Sequence, residues 1–187
     1  MIIYIHGFAS SGFGTKAQEF KKYYNDEIIC LSLPTIPFLA INNLEQIIES
    51  YLKLGEKVSL IGSSLGGFYS LYLANKYNLK AVLINPALNP KNTLKRFYTF
   101  GFVKNYYDES RFEITKEQLD SLINFEVKEM KNRENILALI QKGDEIIDFK
   151  ESIKVLENCE IILEDGGNHS FKDIERYFSK IDYFLNN

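Results

Sequence analysis

The pentapeptide Gly62-Ser63-Ser64-Leu65-Gly66 joins the apolar run Val58 to Ile61 to a segment of helical periodicity. That setting makes Ser64 a candidate nucleophile on a strand-to-helix turn. A serine hydroxyl is a weak nucleophile, so it needs an exposed oxygen and a base within reach, and a strained turn supplies the exposure. Gly62 and Gly66 are the small residues such a turn requires, because it brings backbone close to its neighbours, and Gly67 allows further close packing. Ser63 fills the variable position. The backbone N–H of Leu65, opening the helix, would point at a developing oxyanion. Taken alone, the pentapeptide also reads as a Gly/Ser-rich turn without chemistry.

The base has to be one of two histidines. His169 sits in Asp165-Gly166-Gly167-Asn168-His169-Ser170-Phe171, after the last apolar strand and before the final helix, where a loop can aim an imidazole at Ser64. The alternative for His169 is a surface position beside a helix cap. His6 follows the first strand in Tyr4-Ile5-His6-Gly7-Phe8. A histidine beside glycine there matches the loop that provides a second oxyanion donor, which predicts that Phe8 N–H donates. His6 and Gly7 are expected to fix that loop and to lie among the substrate-binding residues. An imidazole acting as base needs a carboxylate to hold its tautomer. Asp144, in Gly143-Asp144-Glu145-Ile146-Ile147-Asp148, is the candidate, in the chain order Ser, Asp, His. Asp148 is the alternative acid and could equally cap the next helix, whereas Glu145 is expected to face solvent. In Ser10 to Lys16 the glycines lack the GxxxxGK[ST] order of a phosphate loop. Lys16 is a candidate for attracting an anionic substrate group, against the alternative of a solvated helix face.

Elements that can position these residues follow from periodicity. Ile2 to Ile5, Ile28 to Leu33, Val58 to Ile61, Ala81 to Ile84, Ile136 to Ile140 and Ile161 to Leu163 are short, β-branched runs that predict six buried strands. Asn43 to Leu54, Leu65 to Tyr77 and Ser170 to Leu185 carry apolar residues at spacings of three and four and predict helices. Alternating strand and helix predicts an α/β fold with a mostly parallel sheet and helices on both faces, which binds ligands beyond the carboxyl ends of its strands. The connection from Ile84 to Ile136 is too long for a plain crossover and holds eight aromatics between Phe97 and Phe125. It predicts a helical, aromatic cap insertion over about 86–134 within one domain spanning 1–187, with a helix over Thr115 to Met130 that carries Leu119, Leu122, Ile123 and Val127 on one side. The cap aromatics either shape a substrate pocket or pack the insertion onto the core.

Composition excludes other classes of function. Lys plus Arg number 22 against 25 Asp plus Glu, a net charge of -3, so no basic surplus favours nucleic acid or an acidic membrane, and a small-molecule substrate is the expectation. Cys30 and Cys159 lie in apolar stretches and are expected as buried free thiols. No HExxH or CxxC spacing predicts a metal, and no cofactor is implied. No apolar run approaches the roughly 20 residues of a membrane span. The start of the chain lacks a basic segment and a cleavage site, so membrane insertion and export are not expected and the location expected is cytoplasmic.

The combination of YIHGF with following serines, IGSSLGGFY, INPAL, QKGDEIIDF and EDGGNHSF resembles the small bacterial YqiA/YcfP-type esterases of the α/β-hydrolase superfamily, nearly end to end. The resemblance implies serine ester hydrolysis without a cofactor, with the nucleophile on Ser64, the acid on Asp144 and the histidine on His169. Asn168, where the family often has Asp, and the irregular loop Ser10 to Gly14 are departures that bear on substrate preference. An acyl-CoA thioesterase using the same residues, and a non-catalytic binding module on the same fold, are the alternatives.

Overall fold

Short β-branched runs separated by amphipathic segments have one economical arrangement, a parallel sheet sandwiched between helices. The computed structural model describes residues 1–99 and 101–187, with backbone alone at 98 and 99. Its main strands are β1 (Ile2–Ile5), β2 (Ile28–Cys30), β3 (Ser59–Ser63), β4 (Lys80–Ile84), β7 (Ile136–Gln141) and β8 (Glu160–Glu164), within a residue or two of the predicted runs except at the shorter β2. A small pair, β5 (Phe102–Lys104) and β6 (Arg111–Glu113), lies in the insertion. The six main strands are all parallel and ordered β2-β1-β3-β4-β7-β8. The direction of winding reverses between β1 and β3, which leaves a crevice beyond their carboxyl ends.

Side chains alternate between the two faces of the sheet. Ile3, Ile5, Leu60, Leu83 and Ile140 face α2 (Pro37–Lys53) and α3 (Leu65–Tyr77). Ile2, Tyr4, Ile61, Val82 and Leu139 face α1 (Thr15–Tyr24) and α7 (Phe178–Asn186). Helix α2 starts earlier than its periodicity suggests because Pro37 occupies the first turn, where a missing N–H does no harm. The predicted helix from Ser170 is shorter than expected. Phe171 and Asp173 have left-handed φ values of 59° and 57°, so the chain turns, passes through a 3-10 segment at Ile174–Tyr177 and becomes α-helical at Phe178.

Two short helices, α4 (Pro90–Leu94) and α5 (Lys116–Asp120), and the β5-β6 hairpin form the body of the insertion. The helix predicted over Thr115 to Met130 stops at Asp120. Thr115 makes the expected start, as a capping box with Gln118. Beyond Asp120 the side chains of Ser121 and Asn124 donate to the backbone carbonyls of Gln118 and Ser121, and a 3-10 segment, Ser121–Phe125, follows. Three residues per turn point Leu119, Leu122 and Phe125 inward and leave Ile123 53% exposed, unlike the expected helical stripe. Helix α6 (Phe149–Val155) connects β7 to β8. Cys30 and Cys159 are free thiols, half-buried rather than buried. Phe100 and the side chain of Tyr98, two of the cap aromatics, lie outside the described residues. Among the described residues no helix is long and apolar enough to cross a membrane.

Candidate active site

Ser64 stands between the end of β3 and the first turn of α3 with φ 56° and ψ -120°. A non-glycine residue in that region carries strain of order 1–3 kcal/mol and persists only where its surroundings hold it. Its N–H donates to the Ile84 carbonyl at 3.0 Å, and its carbonyl accepts from Gly67 at 2.9 Å and Ala87 at 3.0 Å. Close approach explains the flanking glycines: a Cβ at Gly62 would stand 2.2 Å from the Gly66 carbonyl oxygen, and one at Gly66 would stand 2.0 Å from that of Ile5.

Three strand ends converge on this serine. From the loop after β8, His169 Nε2 lies 3.0 Å from Ser64 Oγ. From the turn after β7, Asp144 presents Oδ2 at 2.8 Å and Oδ1 at 3.0 Å to His169 Nδ1. A carboxylate can only accept, so a singly protonated His169 imidazole would carry its proton on Nδ1 and turn the Nε2 lone pair toward the serine hydroxyl. Asp144 is itself held by the N–H groups of Ile146 and Ile147, each donating to Oδ1 at 2.8 Å, and its side chain is only 3% exposed. Asp148 is turned elsewhere: its Oδ1 caps α6 by accepting from Lys150 N–H at 3.0 Å. Glu145 is exposed, as expected of a solvent-facing residue, yet its Oε2 accepts the backbone N–H of His169 at 3.0 Å, a contact its sequence context did not announce.

The β1 loop runs directly beside the serine. A Cβ on Gly7 would lie 3.1 Å from Ser64 Cβ and 3.6 Å from Ser64 Oγ. Phe8 follows Gly7 in this loop and Leu65 follows Ser64 in the chain, so the two backbone N–H groups expected to serve a developing oxyanion belong to residues next to this close approach. His6 is brought close but is not among the residues lining the cleft. Its Nδ1 donates to the Gly7 carbonyl at 2.7 Å and its Nε2 accepts from Leu33 N–H at 2.9 Å. With both ring nitrogens taken, His6 has no hydrogen bond to offer a substrate, and of the two parts expected of it only the bracing of the loop is compatible with this geometry. Burial lowers its pKa, since the charged form loses hydration.

A cleft of about 810 Å³ opens over the serine, lined among others by Gly7, Phe8, Lys16, His169, Tyr106 and Tyr107. The aromatics of the insertion divide into two groups. Phe97 and Phe112 pack on the Phe8 ring, with centroids 5.0 and 5.9 Å away, whereas Tyr106 and Tyr107 reach the cleft from the β5-β6 hairpin. The hairpin is tied to the β1 loop by Tyr106 N–H to the Ala9 carbonyl at 2.8 Å and by Asn105 Nδ2 to that of Ser10 at 3.2 Å. Lys16 lines the cleft and donates from Nζ to the Ser170 carbonyl; desolvation pulls its pKa down to about 8. Among the described residues no cluster of His, Cys, Asp or Glu is arranged to hold a metal ion.

Sheet topology, a strained serine after β3 and loops carrying an acid and a histidine after β7 and β8 define the α/β-hydrolase fold. The chain is similar to alpha/beta hydrolase domain-containing protein 10 from mouse, with a TM-score of 0.71 and 21% identity over 99% of this chain and 89% of that one. It is also similar to the Paleococcus ferrophilus monoacylglycerol lipase, with a TM-score of 0.69 and 17% identity over 98% of this chain and 93% of that one. The chain belongs to the family described as uncharacterised protein family UPF0227, the YqiA/YcfP-type family, which it matches over residues 1–186. A UPF0227 protein from Vibrio vulnificus is 26% identical over 200 residues, covering 100% of this chain and 99% of the relative.

Proposed function

We propose that this chain is a serine hydrolase of carboxylic esters. The observation that carries the reading is the continuous hydrogen-bond chain from Asp144 through His169 to a strained Ser64. Ser64 Oγ attacks the ester carbonyl while its proton passes to His169 Nε2, and Asp144 stabilises the imidazolium that forms. The carbonyl electron pair moves onto oxygen, where Phe8 N–H and Leu65 N–H donate to it. Collapse expels the alcohol, which takes the proton from His169 and leaves an acyl-Ser64 ester. Water, deprotonated by His169, then attacks that ester, and the carboxylic acid leaves as Ser64 recovers its proton.

Residues 1–187 act in this reading as one unit, with the insertion over about 86–134 shaping the cleft. No cofactor takes part. The likeness to a monoacylglycerol lipase supports carboxylic esters as the substrate class. The test is hydrolysis of p-nitrophenyl esters from acetate to palmitate by wild type and Ser64→Ala, with matched thioesters alongside. Turnover that disappears with Ser64 is expected, and turnover that survives in pure Ser64→Ala removes Ser64 from the role of nucleophile. A preference for the thioester series would favour the thioesterase alternative.

A further inference from the structure

Two buried amides, Asn85 just past β4 and Gln141 at the end of β7, lie beneath the histidine loop, and neither has a part in the mechanism above. Each is 2% exposed. They belong to the INPAL and QKGDE segments of the sequence. Asn85 Nδ2 donates to the Asn168 carbonyl at 2.9 Å and to the His169 carbonyl at 3.2 Å, while its Oδ1 accepts from Gln141 N–H at 2.9 Å. Gln141 Oε1 accepts from Asn168 N–H at 3.1 Å and Lys172 N–H at 2.9 Å. Its Nε2 donates to the Lys172 carbonyl at 3.0 Å and to Glu164 Oε2 at 2.9 Å. The loop lies directly on this amide: a Cβ on Gly167 would stand 2.1 Å from Gln141 Oε1.

We propose that Asn85 and Gln141 are positioning residues that aim His169 between Asp144 and Ser64. Their bonds grip the backbone on both sides of His169, and no other buried side chain does so among the described residues. Glu145 and Lys16 also touch the loop backbone, but from the cleft side. The same pair references the other two residues. The Gln141 carbonyl accepts Asp144 N–H at 3.2 Å, and Ile84, next to Asn85, accepts Ser64 N–H at 3.0 Å. Serine, acid and histidine arrive on three different strands, yet all are registered to the ends of β4 and β7. Apolar residues of equal size would fill the space but leave the loop's carbonyls and N–H groups without partners. Displacing a reacting group by about 1 Å is enough to lower a rate on the order of a hundredfold, so a loop held this closely has a catalytic consequence.

The inference rests on the serine hydrolase reading, and its test includes a readout independent of turnover. Asn85→Asp keeps the acceptor for Gln141 N–H and tolerates the left-handed φ of 39°, but it replaces the donor with an oxygen facing two carbonyls. Gln141→Met removes every side-chain bond at nearly constant volume. Each folded variant is expected to lose at least about tenfold in kcat, with KM within about twofold. Each is also expected to lose the exchange-protected Nδ1 proton resonance of His169, identified against His169→Ala in a protein with two histidines. Wild-type kcat in a folded variant, or a lowered kcat with that resonance intact, overturns the proposal. Should neither variant fold, amide exchange in wild type decides: Asn168 and Lys172 N–H are expected to be protected, and rapid exchange overturns the grip. If wild type and Ser64→Ala are alike on every ester, the hydrolase reading fails, and the resonance alone then decides whether the amides aim His169.

Discussion

His6 and His169 both follow the carboxyl ends of strands in the parallel sheet, yet their surroundings allow opposite behaviour. The β1 loop closes on His6: one ring nitrogen donates to the next carbonyl, the other accepts from Leu33, and the residue is 7% exposed. The β8 loop holds His169 open, with a carboxylate on one nitrogen, a hydroxyl on the other and a side chain 23% exposed. The proposed mechanism needs a proton to arrive at His169 Nε2 and leave again, whereas at His6 a proton would break a buried hydrogen bond and enter a site that disfavours charge. Location at a strand end therefore does not make a histidine a base. The partners on its two nitrogens do.

Exchange of roles between the loops would break that contrast. The largest expected effect is from Ser64→Ala or His169→Ala, each lowering kcat by up to about a millionfold with little change in unfolding midpoint, measured as ester turnover beside thermal unfolding. Asp144→Asn comes next, at about ten-thousandfold, because the imidazole then takes the wrong tautomer. Asp148→Asn is the control and is expected to leave kcat within about twofold. A crippled Asp148→Asn with an active Asp144→Asn would assign the acid the other way. His6→Ala should behave oppositely to His169→Ala. It leaves Leu33 N–H and the Gly7 carbonyl unpaired and is expected to destabilise the fold by about 1–3 kcal/mol in denaturant unfolding, with a smaller loss of kcat. A millionfold loss of kcat in stable His6→Ala would erase the distinction.

The same contrast separates what was legible in the sequence from what was not. The strand runs and Leu65 to Tyr77 were readable because burial on both faces of a parallel sheet leaves an unbroken apolar signature, and because an elbow needs glycine where backbones touch. Ser64, His169 and Asp144 could be put forward as candidates from their places at strand ends. The hydrogen-bond partners could not, since they depend on which side chain each loop folds over. His6 is an example: its closure by Leu33 joins residues far apart in the chain. Glu145 is another, because an exposed carboxylate gives no sign that it will accept a backbone N–H. In the insertion, the apolar pattern after Thr115 suited a helix, but polar side chains bonding the backbone at Ser121 and Asn124 turned it into a 3-10 segment. The β5-β6 hairpin had no clear alternation to reveal it, because its strands are three residues each.

Lys16 sharpens the comparison at its smallest scale, since it touches the His169 loop from the β1 side through the Ser170 carbonyl. Its ammonium is desolvated, and its pKa falls from 10.5 to about 8. A lysine whose folded pKa lies below its unfolded value binds fewer protons folded than unfolded between those two values. In that window wild-type stability rises with pH relative to a protein lacking the group. Below about pH 8 the charge is present in both states and its desolvation opposes folding in full. Lys16→Met keeps the stem and removes the charge together with the bond to Ser170. It is therefore expected to compare most favourably with wild type at pH 7 and to lose that advantage progressively as pH rises from about 8 to 10.5, read by urea unfolding across the range. A stability difference that stays flat through this window would mean that Lys16 keeps its water and faces outward. The bond to Ser170 would then be made by a hydrated ammonium, and Asn85 and Gln141 would be the buried supports of the loop.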